Sequence, residues 1–308
     1  MDKLRGFGDR LAEAVRRRGN GVMVGLDPRL GLLPEALQPD NASPREVAEA
    51  FRRFCCDVID VVAPLVPIVK PQAAFFEEFG PAGMEALAEV IKYARHKDLL
   101  VVVDGKRNDI GSTAEAYARG YLGADSAWQA DALTVSPYLG DDSLTPFVDV
   151  ARTQHAGIFV LVKTSNPGGA RWQDVRSEQG AIYQLVAEHV EALAAETVGD
   201  AGLGIVGAVV GATYPTQLAE LRAAMPHAWL LVPGFGSQGG TARDVAAAFL
   251  ETGLGAVVNN SRGILFAYQR SEYREIGTRD WQEAVAQATR DMIDQLAAET
   301  HAGRLRRN

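Results

Sequence analysis

The chain has 308 residues, of which 47% are hydrophobic and 23% charged, and this ordinary globular mixture excludes long disordered stretches. Its formal net charge of −8 argues against a general nucleic-acid binder, which would carry a basic face, but allows a small phosphorylated ligand held by a few local groups. The apolar runs are too short for a transmembrane helix, and the adjacent pair Cys55 and Cys56 suits neither a disulfide framework nor a zinc site, so we expect a cytoplasmic protein with reduced thiols.

Eight short apolar runs recur along the chain, and each ends in polar residues or glycine. They are rich in Val, Ile and Leu without strict alternation, which is typical of strands buried on both faces of a parallel sheet. The predicted strands are Val22–Asp27, Pro67–Lys70, Leu99–Lys106, Ala132–Ser136, Gly157–Ser165, Gly207–Thr213, Trp229–Gly234 and Gly255–Ser261.

Helical patterns fill the spaces between these runs. The clearest is Pro44–Val62, where Ser43 is a candidate N-cap and Pro44 occupies the first helical position. The Arg-rich N-terminus (about residues 2–18) and a C-terminal segment (about 278–298) also predict helices. Further helices are predicted over residues 81–95, 113–123, 142–154, 182–193, 214–224 and 240–252.

Eight strands that alternate with helices predict a (β/α)8 TIM barrel, with residues 1–308 forming one domain. An open doubly wound sheet is the alternative, but no GxGxxG motif follows the first strand. The longest step between strands separates the fifth from the sixth, so we expect residues 166–206 to hold extra material, such as a lid loop and a helix.

The active site of such a barrel lies at the carboxyl ends of its strands. The densest cluster of polar residues at a predicted strand end is Asp104-Gly-Lys106-Arg-Asn-Asp109. Asp104 and Lys106 are two residues apart and therefore project to the same face of a strand. Two carboxylates near an ammonium group favour its charged form, so Lys106 is a candidate proton donor rather than a nucleophile. A surface run of salt bridges is the alternative for this cluster alone, but Lys70, which ends the preceding strand, favours a site.

A candidate phosphate site follows the last two predicted strands. The seventh strand continues into a glycine-rich segment, Pro233–Thr241, whose backbone N–H groups can approach an anion closely. The predicted helix over residues 240–252 would add the favourable dipole of its N-terminus. Arg262, just after the eighth strand, can bind a phosphate through two hydrogen bonds.

Together these blocks resemble the orotidine 5'-phosphate decarboxylases, and most closely the longer bacterial branch of that family. Asp104-x-Lys106-x-x-Asp109-Ile110 resembles the family's DxKxxD(I) signature, which sister enzymes that use a metal ion and act on sugar phosphates share. Those sister enzymes carry an acidic residue near Lys70 that helps to hold magnesium, so a lysine there suits a metal-free decarboxylase. The other matching blocks are VGLDPR (24–29), KPQAAFFE (70–77), PGFGSQGG (233–240) and NSRGI (260–264).

The resemblance implies a barrel of the ribulose-phosphate-binding type and an enzyme with no cofactor. It would convert orotidine 5'-phosphate (OMP) to UMP and CO2, the final step of de novo pyrimidine nucleotide synthesis, without nucleic-acid or membrane partners. In this reading Asp27 and Lys70 contact the ribose hydroxyls, Asp104 lies near the substrate carboxylate and Lys106 protonates C6 as CO2 leaves.

The same resemblance implies roles for residues on several loops. Asp109, Ile110 and Thr113 would reach the neighbouring subunit's site, which makes the enzyme a homodimer with shared sites. Ser165 would hydrogen-bond the pyrimidine, with Ser136 as a rival for that role. Gln238 and Arg262 would bind the phosphate, and Gly239 and Ser261 would also contact the substrate.

Two other classes of function remain open from the sequence. One is a Schiff-base lyase or aldolase acting on a sugar phosphate through Lys70, Lys106 or Lys163. Such a lysine needs a lowered pKa, and the carboxylates around Lys106 act in the opposite direction. Lys163, which has no sequence-adjacent carboxylate, is the better candidate, and the alternative is a strand-end lysine that faces solvent. The other class is a non-catalytic phosphoribosyl-binding barrel, which has no need for the aspartates and Lys106.

Overall fold

A computed structural model describes residues 5–236 and 239–306 of the chain. Eight parallel strands form a closed barrel in which β1 pairs with both β2 and β8, so the predicted (β/α)8 barrel is confirmed. All eight predicted strands are present, with ends shifted by a few residues. The strands are β1 (Val22–Leu26), β2 (Ile68–Pro71), β3 (Leu100–Arg107), β4 (Ala132–Val135), β5 (Gly157–Lys163), β6 (Val206–Val210), β7 (Leu230–Val232) and β8 (Ala256–Asn260).

The helices form an outer layer, and their apolar faces pack against the barrel. The predicted helix Pro44–Val62 has the bounds expected from the sequence, and the backbone N–H of Glu46 donates to the Ser43 side chain at its N-terminus. The α-helices are α1 (Phe7–Arg18), α2 (Pro44–Val62), α3 (Ala74–Glu77), α4 (Gly80–His96), α5 (Gly111–Tyr121), α6 (Thr145–Thr153), α7 (Ala170–Gln173), α8 (Ile182–Ala195), α9 (Pro215–Ala224), α10 (Arg262–Leu265), α11 (Arg274–Arg279) and α12 (Trp281–Glu299).

The prediction of a helix over residues 240–252 is wrong, because turns and one 3-10 helix, Ala246–Ala248, occupy this segment. Local side-chain hydrogen bonds compete with a helix here, since Asp244 accepts from both the backbone N–H and the hydroxyl of Thr241. The next backbone bonds, such as Ala246 N–H to the Arg243 carbonyl, span three residues rather than four. A short helix that the sequence did not predict, α10, instead follows β8 directly.

Two segments outside the regular β/α pattern shape the ends of the barrel. The helix α1 covers the amino-terminal end, where the Phe7 ring packs edge-on against Phe159 at 5.9 Å and Arg10 pairs with Asp131 at 2.5 Å. The connection from β5 to α8 holds α7 and a small hairpin of Arg176–Ser177 with Gly180–Ala181. The long step after the fifth strand therefore contains ordered structure at the carboxyl end of the barrel. Over the described residues, no helix combines the length and apolar character needed to cross a membrane.

Candidate active site

A cavity of about 440 Å³ opens at the carboxyl ends of the barrel strands. Its walls combine charged groups from β2 and β3 with apolar side chains from β5, β6 and β7, which suits a ligand with both a ring and polar substituents. The lining residues are Asp27, Lys70, Gln72, Asp104, Lys106, Thr134, Leu161, Thr164, Ser165, Asn166, Val209, Leu231, Pro233, Gly234, Phe235, Asn259, Ser261 and Arg262.

Three charged side chains form a continuous array on one wall of this cavity. Lys70 Nζ lies 3.0 Å from Asp104 Oδ2, and Lys106 Nζ lies 2.7 Å from Asp104 Oδ1. The Lys70 and Asp104 side chains are only 5% and 12% exposed, whereas that of Lys106 is 46% exposed, and all three residues line the cavity. The arrangement places one half-exposed ammonium group against a carboxylate that a second, buried ammonium group holds in place.

The electrostatics of the array keep Asp104 and Lys70 charged. Burial acts to raise the pKa of Asp104, but attraction to Lys70 and Lys106 outweighs it and holds that pKa well below its usual range. Burial acts to lower the pKa of Lys70, but Asp104 and Asp27 outweigh it and raise the pKa. The stabilisation from Asp104 is therefore present above the unfolded carboxyl pKa of about 4 and is lost as pH falls through the lower folded value. The stabilisation from Lys70 is lost only as pH rises through its raised folded pKa.

The backbone around Lys106 departs from regular strand geometry. The register of β3 against β4 shifts between Val103 and Arg107, and Lys106 has φ 45°, a conformation that side chains other than glycine rarely adopt. Thr134 on β4 fixes this distortion, since its hydroxyl accepts from the Lys106 N–H at 2.9 Å and donates to Asp104 Oδ1 at 2.9 Å. Local strain of this kind is typical of functional sites.

Sequence reasoning missed the polar residues that support the array. Thr134 is a hydroxyl residue inside an apolar strand, and that interruption was the available signal. Gln72 follows β2, and with its amide nitrogen turned toward Asp104 it donates to Oδ2 at 2.7 Å and to the Asp104 carbonyl at 3.1 Å. Both residues satisfy lone pairs of Asp104 that the two lysines leave open.

Next to the array, the ends of β1 and β8 supply further polar groups. Asp27 and Asn259 both line the cavity, and their Oδ1 atoms are buried with no hydrogen-bond partner among the described residues. Ser261 lies against Gly25, where an added Cβ would come within 1.9 Å of the Ser261 Oγ. Glycine at position 25 thus allows Ser261 to line the cavity.

The loop after β5 brings Ser165 to the cavity wall, together with Thr164 and Asn166. Its rival Ser136 is not among the described lining residues; the Ser136 hydroxyl instead accepts a long 3.5 Å bond from the Tyr138 N–H. The position of Ser165 therefore agrees with contact to a bound ring, whereas that of Ser136 does not.

Part of the segment predicted to bind phosphate lines the cavity. Pro233, Gly234 and Phe235 from the loop after β7 line the cavity beside Ser261 and Arg262. Residues 240–252 form no α-helix, so the prediction that the dipole of such a helix faces the site is wrong. The short helix α10 begins at Arg262, after β8. The described lining residues do not include Gly239, and Gln238 lies outside the described residues.

Three predicted site residues lie away from the cavity of their own chain. Asp109, Ile110 and Thr113 follow β3 at the start of α5, where Thr113 is exposed and Ile110 is 56% exposed. Arg107 anchors the start of this loop, since it pairs with Glu77 and donates to the Tyr121 hydroxyl at 2.8 Å.

The expectation that Lys163 is either a nucleophile or a lysine that faces solvent needs correction. Lys163 is fully buried at the end of β5 and forms an ion pair with Asp174. This partner could not be read from the sequence, because Asp174 is eleven residues away in the β5–α8 connection. The ion pair satisfies the buried charge.

Comparison with known proteins agrees with this geometry. A chain from Rhodopirellula baltica named orotidine 5'-phosphate decarboxylase is 57% identical over 297 residues, which cover 94% of this chain and 98% of that one. A Deinococcus radiodurans protein of the same name is 46% identical, with 85% and 89% coverage. The structure of Leishmania donovani OMP decarboxylase superposes with a TM-score of 0.68 at 35% identity, covering 91% of this chain and 98% of that chain. The profile of the orotidine 5'-phosphate decarboxylase / HUMPS family matches residues 22–276, and the chain belongs to this family.

Proposed function

We propose that this chain converts OMP to UMP and CO2 and that its Lys70–Asp104–Lys106 array performs the chemistry. The observation that carries the proposal is the pairing of both lysines with the two oxygens of one buried carboxylate. The relatives that carry the decarboxylase name span nearly the whole chain, which supports the same reaction.

Decarboxylation without an electron sink leaves negative charge on C6 of the pyrimidine. A fixed ammonium group beside C6 stabilises that charge and can then deliver a proton to it, which is the role proposed for Lys106. Asp104 would lie next to the substrate carboxylate, and the repulsion between the two groups would be relieved as CO2 leaves. Lys70 and Thr134 hold Asp104 in that position.

Lys70 also favours a decarboxylase over a magnesium-dependent sugar-phosphate enzyme. Its ammonium group is 3.0 Å from Asp104, so a divalent cation bound by the same carboxylate would meet a like charge at short range. Asp27 and Asn259, with their buried unpaired oxygens, would instead accept hydrogen bonds from ligand hydroxyls. We assign Asp27 and Lys70 to the ribose and Ser165 to the pyrimidine. Gln238 and Arg262 are assigned to the phosphate, and Gly239 and Ser261 to further contacts with the substrate.

A homodimer with shared sites completes the proposal. Exposed apolar side chains, Ile110, Tyr138 and Leu139, lie on the loops after β3 and β4, a surface that suits contact with a second copy. Asp109, Ile110 and Thr113 would then complete the partner's cavity.

Subunit mixing tests this sharing. Lys106→Ala and Asp109→Asn chains should each be inactive alone, because each removes one residue from every site. In a heterodimer one site carries both changes and the other carries neither, so random mixing should restore about a quarter of wild-type activity. No recovery from verified heterodimers would contradict shared sites.

The activity itself is tested by mixing purified protein with OMP and following the loss of its ultraviolet absorbance while UMP is quantified. Stoichiometric conversion is the expected result. A folded dimer that leaves OMP unchanged would refute the function. Borohydride trapping with a carbonyl substrate would then test the Schiff-base alternative.

A further inference from the structure

Lys163 is the residue from which this inference begins, because a fully buried lysine requires a structural reason. It pairs with Asp174, whose side chain is 40% exposed, and its Nζ lies 4.8 Å from the ring centroid of Tyr214 and 5.2 Å from that of Tyr183. Tyr183 belongs to α8 and Tyr214 precedes α9. Lys163 thus links the end of β5 to the β5–α8 connection and to two outer helices.

A second set of contacts lies one residue further along the chain. The Thr164 N–H donates to Gln173 Oε1 at 3.0 Å, and Gln173 Nε2 donates to the Thr164 hydroxyl at 2.8 Å. Gln173 ends α7 and is adjacent to Asp174. Two consecutive residues of the connection therefore hold two consecutive residues at the end of β5.

These contacts come immediately before Ser165, whose position is also restricted from the other side. Gly211, which follows β6, approaches Ser165 so closely that an added Cβ would lie 2.8 Å from its backbone nitrogen. The Gly211 N–H donates to the Lys163 carbonyl at 2.8 Å, and the Thr213 hydroxyl donates to the Ser165 carbonyl at 3.3 Å. Ser165 thus lies between the Lys163–Asp174 pair and the end of β6.

We propose that Lys163, Asp174 and Gln173 are positioning residues that hold the β5 loop so that Ser165 meets the base of a bound nucleotide. The inference rests on the proposed function, since that function supplies the base. The charges of the pair lie outside the array around Asp104, and neither Lys163 nor Asp174 lines the described cavity wall. Their effect is therefore expected on recognition of the base and not on recognition of the ribose or the phosphate.

Binding of two ligands separates this role from a general structural one. UMP carries the base, whereas ribose 5-phosphate lacks it. The Lys163→Met variant keeps an unbranched apolar stem between the two tyrosines and removes the charge, while the half-exposed Asp174 can be hydrated. We expect its Kd for UMP to rise about tenfold, the equivalent of one lost hydrogen bond, and its Kd for ribose 5-phosphate to stay within about twofold. An equal rise in both Kd values, or no change in either, would overturn the proposal.

Two further variants complete the experiment. Gln173→Leu removes the hydrogen bonds to Thr164 and leaves the ion pair intact. It should raise the Kd for UMP and leave the Kd for ribose 5-phosphate unchanged, and it provides the test even where Lys163→Met fails to fold. Arg10→Met breaks the Arg10–Asp131 pair at the opposite end of the barrel and should leave both affinities unchanged. A selective loss of UMP affinity in the Arg10 variant would show that any destabilisation of the barrel has this effect, and it would overturn the proposal.

Wild-type turnover distinguishes this inference from the function on which it rests. A wild type that converts OMP while Lys163→Met and Gln173→Leu retain normal UMP affinity would refute the positioning role alone. A wild type that binds neither UMP nor OMP would refute both the function and the positioning role.

Discussion

Replacing Lys106 by alanine should lower kcat for OMP by about 10,000-fold or more, because the change removes both the fixed positive charge beside C6 and the proton that C6 receives. The fold should be retained. Lys106 is 46% exposed, and Asp104 keeps its buried partner Lys70 and its hydrogen bond from Thr134. Single-turnover measurements with excess enzyme would isolate the chemical step from product release.

The control for this variant is Lys92→Ala, which removes an exposed lysine of α4 away from the cavity. It should retain wild-type kcat. UMP binding to the Lys106 variant provides a second control, since a folded site should still bind the product. Retention of more than about a tenth of wild-type kcat by Lys106→Ala would refute its assignment as proton donor.

Replacing Arg262 by alanine should lower kcat/KM for OMP by about 100-fold, although Arg262 is not proposed to touch any reacting atom. Charge-assisted hydrogen bonds to a phosphate contribute a few kcal/mol, and binding energy from a remote group can be used to organise the reacting end. Arg262 lines the cavity beside Ser261 and Phe235, at the end formed by β7 and β8.

A substrate without the phosphate makes this prediction specific. Orotidine lacks the group that Arg262 would bind, so the variant and the wild type should process orotidine at the same low rate. Arg243→Ala, which removes an 85% exposed arginine from the segment after β7, is the matched control and should behave as wild type with both substrates. An Arg262 variant with a wild-type kcat/KM for OMP would refute the phosphate assignment.

The parts of this structure that the sequence predicted are those set by local signals. The strands follow from apolar runs with polar ends, and α2 follows from its Ser43 cap, Pro44 and amphipathic period. The charged residues at the ends of β2 and β3 could be assigned to one site because a parallel barrel brings its carboxyl strand ends together.

The parts that the sequence did not predict depend on contacts between distant segments or on turn chemistry. Residues 240–252 are rich in alanine, yet the hydrogen bonds between Thr241 and Asp244 favour turns over a helix. The burial of Lys163 depends on Asp174, which becomes a neighbour only when the β5–α8 connection folds back. Thr134 and Gln72 support Asp104 from other strands, and a residue pattern within β3 cannot report such partners.

The central claim is that Lys70, Asp104 and Lys106 decarboxylate OMP with no metal ion. The most direct test is the OMP assay on wild-type protein that has been dialysed against EDTA, with and without added magnesium. The account predicts stoichiometric formation of UMP at the same rate in both cases. Turnover that is lost with EDTA and restored by magnesium would contradict the claim, as would activity only on sugar phosphates with magnesium present.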